Sequence, residues 1–117
     1  MIQKFSFNPR KEGDFIILGV GGYLENTGGS LLKNYVEKCL QEGSLRFIFD
    51  FSSIELISSP GVAALLDIGS KVVDDFDGRI CVFGLDSHHL AVLEMSGFFF
   101  LAAQAGDLAS AKVAIAE

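Results

Sequence analysis

The segment from Phe47 to Phe83 constrains the fold more than any other part of the chain. Phe47-Ile48-Phe49-Asp50-Phe51 is apolar almost without a break, as a strand covered on both faces is. Val62, Leu65, Leu66, Gly69, Val72, Val73 and Phe76 then recur at the i, i+3, i+4, i+7 spacing of one helical face. Ile80-Cys81-Val82-Phe83 is a second short apolar run. Strand, amphipathic helix and strand at such close intervals predict parallel pairing through a right-handed crossover.

The same alternation extends to both sides. Ile2, Phe5 and Phe7 suggest an opening strand ended by Asn8-Pro9, and Phe15-Ile16-Ile17-Leu18 a second one. With Lys11-Glu12-Gly13-Asp14 as the turn, the two should pair as a hairpin. From Gly28-Gly29-Ser30 onward, Leu31, Leu32, Tyr35, Val36, Cys39 and Leu40 mark a helical face that Gly43 would terminate. A short helix is expected from Ser87 to Ser96, stopping at Gly97. Phe98-Phe99-Phe100 reads as a short strand, and Asp107 to Ala116 as a last helix. The whole is expected to be one α/β domain over residues 1–117. Its sheet is mixed and mostly parallel, of four to five strands, with about four helices packed on it. A chain of 117 residues suffices for one core.

Charge narrows the partners. The net charge is −6, and the nine basic residues are scattered from Lys4 to Lys112. Nucleic-acid binding needs a concentrated positive footprint, so it is not expected. An acidic chain meets basic or apolar protein surfaces instead. The apolar runs at 15–20 and 98–103 fall far short of the roughly 20 residues that cross a bilayer. The N-terminus lacks the apolar stretch of a signal peptide, so a reducing cytoplasm is the expected location. Cys39 and Cys81 lack ligand spacing and read as two buried thiols.

Catalytic chemistry finds few candidates. Gly19-Val20-Gly21-Gly22 follows a strand, but Leu24 stands where a dinucleotide loop has its third glycine. It reads as a strand ending in a flexible turn. His88 and His89 are adjacent, so on a helix they diverge by about 100° and share no metal. They read as surface histidines. Asp74, Asp75 and Asp77 read as a solvated helix end. No catalytic residue, metal or cofactor is expected.

Ile57-Ser58-Ser59-Pro60-Gly61 carries the most specific signal. Pro60 fits the first position of a helix, where its missing N–H costs nothing. Ser59 then becomes the natural N-cap. A helix N-terminus also accommodates an anion, so Ser58 and Ser59 are candidate phosphorylation sites.

Taken in order, four segments give the chain a family likeness. Gly22-Tyr23-Leu24-Glu25 is similar to a Gly-x-Leu-Asp motif after the second strand. Phe47 to Ile54 is similar to a Val-Leu-Asp-Leu-Ser strand, and Ile57 to Val62 stands in the place of an Asp-Ser-Ser/Thr-Gly-Leu turn. Leu93-Glu94-Met95-Ser96-Gly97-Phe98 is similar to Leu-x-x-Ser/Thr-Gly-Leu/Phe. On these motifs the chain resembles STAS domains, the family of bacterial anti-sigma factor antagonists. The resemblance implies a regulator that binds a serine-kinase anti-sigma factor and is released when the residue before the turn's glycine is phosphorylated. Here that residue is Pro60, which has no hydroxyl. Ser58 replaces the turn's acidic residue, and Glu25 the loop aspartate.

The expected function is therefore a non-catalytic protein-binding module. The expected contact residues are Glu25, Ser58, Ser59, Pro60, Gly61, Ala63, Ala64 and Asp67, with Lys71 farther along the same helix. The alternative is a STAS subunit or scaffold of a lipid-transport or stressosome-like assembly, which the altered acceptor favours. A small nucleotide-binding enzyme would need a convergent polar pocket that the sequence does not contain. An exposed part of Phe98-Phe99-Phe100-Leu101 would suit a homodimer contact.

Overall fold

The computed structural model describes residues 2–116. Its five strands lie in sequence order across one sheet. β1 (Ser6–Glu12) and β2 (Phe15–Leu24) form an antiparallel hairpin through Gly13, at φ 60°, and Asp14. β3 (Arg46–Ile57), β4 (Arg79–Phe83) and β5 (Ala103–Gln104) each add in parallel. α1 (Asn26–Gln41) joins β2 to β3. α2 (Ser59–Ser70), extended by a π-helical turn at Lys71–Asp75, joins β3 to β4. α3 (Ser87–Ser96) and a 3₁₀ turn (Phe98–Phe100) join β4 to β5, and α4 (Leu108–Ala114) follows. The mixed, mostly parallel sheet with four α-helices is the architecture that the strand–helix alternation predicts.

Strand alternation sorts the side chains into two layers. Ile16, Leu18, Phe47, Phe49, Ile80 and Val82 face α1, α2 and α3, meeting Leu32, Val36, Leu65, Ile68 and Leu93. Ile17, Ile48 and Cys81 face α4, under Ala111 and Ile115. Three crossovers advancing the same way put three helices on one face. The sheet therefore has no point where crossovers diverge to opposite faces, the place where doubly wound sheets open a ligand crevice.

Several expectations are corrected. β1 does not stop at Asn8-Pro9 but runs to Glu12, with Pro9 opposite Leu18. An edge strand bonds on one side only, so a residue without an N–H is tolerated there. β2 does not end at the glycines either. A Cβ on Gly21 would lie 2.7 Å from Ser6 Oγ and 3.0 Å from Ser53 Cβ, so the glycine permits tight cross-strand packing. At Gly22 (φ 72°) the Lys4 carbonyl occupies the place a side chain would take.

α1 starts at Asn26 and contains Gly28 and Gly29, which face the Phe5 ring and the Ala64 methyl. Leu31, expected on its core face, is 52% exposed. Phe98-Phe99-Phe100 forms a 3₁₀ turn instead of a strand. Gly97, left-handed at φ 87°, redirects the chain, Phe98 is buried, and Phe100 stays 95% exposed. His89 is not a surface residue but 3% exposed. Its Nδ1 lies 2.9 Å from Asp86 Oδ1, and its Nε2 has no partner. Cys39 and Cys81 are free and buried, as expected.

Candidate docking surface at the Ser58 turn

The turn between β3 and α2 is built by Ser58 rather than Ser59. An N-cap residue has an extended backbone and a side-chain oxygen that accepts an amide two or three residues on; from Ser58, Pro60 has none to give and Gly61 does. Ser58 meets both conditions: its backbone is extended (φ −79°, ψ 170°) and its Oγ accepts from the Gly61 N–H at 3.2 Å. Ser59 thus opens the helix and Pro60 occupies its second position, one step later than the sequence suggested.

The turn is fastened to the end of β2. Ser58 donates to the Leu24 carbonyl through its N–H at 2.9 Å and through Oγ at 3.3 Å. Gly61 is buried against the same carbonyl, and a Cβ there would come within 2.5 Å of it. Only a glycine lets the first turn of α2 approach β2 this closely. Ser59 and Pro60 remain exposed. The Ser59 hydroxyl has no hydrogen-bond partner among the described residues.

Beyond the turn, Ala63 and Asp67 are exposed and Ala64 is half-buried, since it packs on Gly29 of α1. The close approach of the two helices leaves a groove of about 370 Å³ walled by Pro60, Ala63 and Asp67 on one side and by Ser30 and Lys33 on the other. Lys33 Nζ and Asp67 Oδ2 stand 3.7 Å apart across it, both exposed. A second hollow of about 270 Å³ continues past this pair to Glu37, Lys71 and Asp75. The floor is small and apolar, and the far end carries mixed charge. Sequence reasoning located α2 in this surface but missed the α1 wall. The signal for it was Gly29, a small residue in a helix that must pack tightly on another.

Glu25 is set apart from the rest. It is the residue before α1, half-buried, and makes no side-chain cap bond. It adjoins the turn through Leu24, yet lines a different hollow with Phe5 and Tyr23. Of the other polar groups, Asp74, Asp75 and Asp77 are exposed, and Asp74 accepts from Ser70 Oγ at 3.1 Å. No group of three His, Cys, Asp or Glu among the described residues is placed to hold a metal ion. No described helix is long and apolar enough to cross a membrane.

No family model matches the sequence, and a search of the curated proteins finds no match. Solved structures do match. A putative anti-sigma factor antagonist from Thermotoga maritima superposes with a TM-score of 0.80 at 16% identity, over 95% of each chain. An anti-sigma factor antagonist from Mycobacterium paratuberculosis gives 0.82 at 14% identity, over 97% of this chain and 96% of the other. The Bacillus cell fate determinant SpoIIAA in its phosphorylated form gives 0.69 at 15% identity, over 87% and 93%. The chain has the fold of the anti-sigma factor antagonists, as its motifs implied.

Proposed function

We propose that this chain is a non-catalytic, cytoplasmic regulator, one STAS-like domain over residues 1–117, that docks onto a protein partner through the Ser58 turn and the groove between α1 and α2. The observation that carries this reading is the pair of hydrogen bonds from Ser58 to the Leu24 carbonyl, which fixes the turn while Ser59, Pro60 and Ala63 stay exposed. A rigid, small-residue surface lets a partner approach closely and loses little entropy on binding. The fold, shared with anti-sigma factor antagonists, makes a serine-kinase anti-sigma factor the expected partner. Calorimetry with the host's serine-kinase anti-sigma factor tests it. Saturable binding that Ala63→Glu abolishes supports the reading, and absence of binding sinks it.

Pro60 favours a second reading in which the same surface serves a permanent assembly, such as a lipid-transport or stressosome-like scaffold. Ser58 is engaged as a cap, so Ser59 is the accessible hydroxyl for any displaced phosphorylation. Incubation with the kinase and ATP, followed by site mapping, separates the two. Phosphate on Ser59 that weakens docking supports a switch, whereas unmodified protein that still docks supports the scaffold.

A further inference from the structure

α4 has seven residues, about half the length at which a helix is even marginally stable alone in water, so it persists only by docking. Its anchors are Ala111 and Ile115, which close over Ile17, Ile48 and Cys81 on the face of the sheet turned away from α1, α2 and α3. Val113, between them, is 79% exposed. Neither anchor belongs to the larger core on the other face. Lifting α4 would therefore uncover the smaller cluster and leave the larger one intact, the condition for a segment to open on its own.

Polar groups fasten this thin apolar contact from outside. Lys112 Nζ donates to Glu12 Oε1 at 2.6 Å and lies 6.0 Å from the centre of the Phe15 ring. Arg46 Nε donates to the Ile115 carbonyl at 3.0 Å. Both members of the Lys112–Glu12 pair are about a third exposed, so water and competing charges reach them. At the near end, the Ala105 N–H donates to the Val82 carbonyl at 2.9 Å and pins the chain to the sheet. Gly106 follows, exposed and with open space around it, so the helix can pivot there without striking a neighbour.

We propose that α4 is a latched cover, which opens as a unit about Gly106 while the rest of the sheet stays folded and so bares the apolar face at Ile17, Ile48 and Cys81. The Lys112–Glu12 pair is the latch, and a charge that occupies either group loosens the cover from the surface. The docking groove lies on the opposite face, so the cover stands or falls independently of it.

The two thiols provide the test, because Cys81 lies beneath α4 and Cys39 in the larger core. Static exposure favours Cys39, at 4% against 0% for Cys81. The cover reverses that order. The intact chain is held for hours with methyl methanethiosulfonate, which reacts faster than iodoacetamide, at a series of urea concentrations below unfolding, and each thiol is followed by peptide mass. Cys81 is expected to react about tenfold or more faster than Cys39, with only a shallow dependence on urea, since opening α4 exposes little surface. Ser58→Ala weakens a part that stays folded in both forms, so it should speed Cys39 about fivefold to thirtyfold and leave Cys81 unchanged. Lys112→Ala should speed Cys81 about threefold or more. A Cys81 rate that climbs steeply with urea and rises with Cys39 in Ser58→Ala would mean that only global unfolding exposes it, which overturns the cover. An unchanged Cys81 rate in Lys112→Ala overturns the latch.

Discussion

Ser58 holds the Leu24 carbonyl twice, by its N–H at 2.9 Å and by its hydroxyl at 3.3 Å, while the same hydroxyl accepts from Gly61. One side chain thereby caps α2 and ties it to β2. Ser58→Ala removes the cap and the hydroxyl's bond to Leu24 but keeps the N–H bond, and should cost about 1–2 kcal/mol in urea unfolding. Ser59→Ala, at an exposed and unbonded position, should stay within about 0.5 kcal/mol of the parent. Equal losses in the two variants would mean that the cap is misassigned.

Gly61 tests how tightly the turn is seated. Its missing Cβ leaves room for the Leu24 carbonyl, and backbone cannot swing aside as a flexible side chain can. Gly61→Ala should destabilise the fold by about 1–3 kcal/mol, although alanine is the better helix former. A stabilised alanine variant would show that α2 shifts outward freely.

Ala63 separates binding from folding. It is exposed on α2, so Ala63→Glu should leave the unfolding free energy within about 0.5 kcal/mol of the parent. The bulky charge would nevertheless fill the groove beside Pro60. Calorimetry should then show partner binding lost in a fully folded protein.

Two caps set a pH limb. The His89 N–H donates to Asp86 at 2.8 Å and the Ser110 N–H to Asp107 at 2.8 Å, and these bonds hold both carboxyls below their ordinary 3.8. Depressed carboxylates contribute stability that is fully present above 3.8 and is lost as pH falls through the lower folded values. Asparagine caps a helix nearly as well without titrating. The Asp86→Asn/Asp107→Asn double variant should therefore melt near the parent temperature at pH 7 and lose less of it between pH 5 and pH 2. Parallel curves over that range would remove the caps from the account.

The thiols offer a direct probe of the core. Burial raises both Cys39 and Cys81 above the ordinary thiol value, against hydrogen bonds that lower them. Iodoacetamide at neutral pH should leave the native chain unmodified and label both cysteines in urea, read by intact mass. Rapid labelling of the native protein would place at least one thiol outside the core.

The sequence revealed most of the order of elements along the chain because its helices and strands announce themselves by different periods. Phe47–Phe51 and Val62–Phe76 needed no tertiary information. Where the reading failed, a tertiary contact overrode a local signal. Gly21, Gly28, Gly29 and Gly61 look like loop residues in isolation, yet each sits where a neighbour comes too close for a Cβ. The three phenylalanines at 98–100 have strand composition, but Gly97 turns the chain and only Phe98 reaches the core. The cap moved from Ser59 to Ser58 because the decisive partners, Gly61 N–H and the Leu24 carbonyl, are set by the fold. The α1 wall of the groove left only Gly29 as a signal, and that glycine does not say which helix it packs against.

Pro60 sits in the second position of α2, exposed, where no amide hydrogen is required of it. Proline and serine codons of the CCN and UCN series differ by a single base. Exchanging one for the other here would disturb the helix entry little and would put a hydroxyl directly before the turn's glycine. In evolutionary terms, a form of this surface with a hydroxyl before the glycine and a form without one stand one point mutation apart, with the cap and the fold indifferent to which is present.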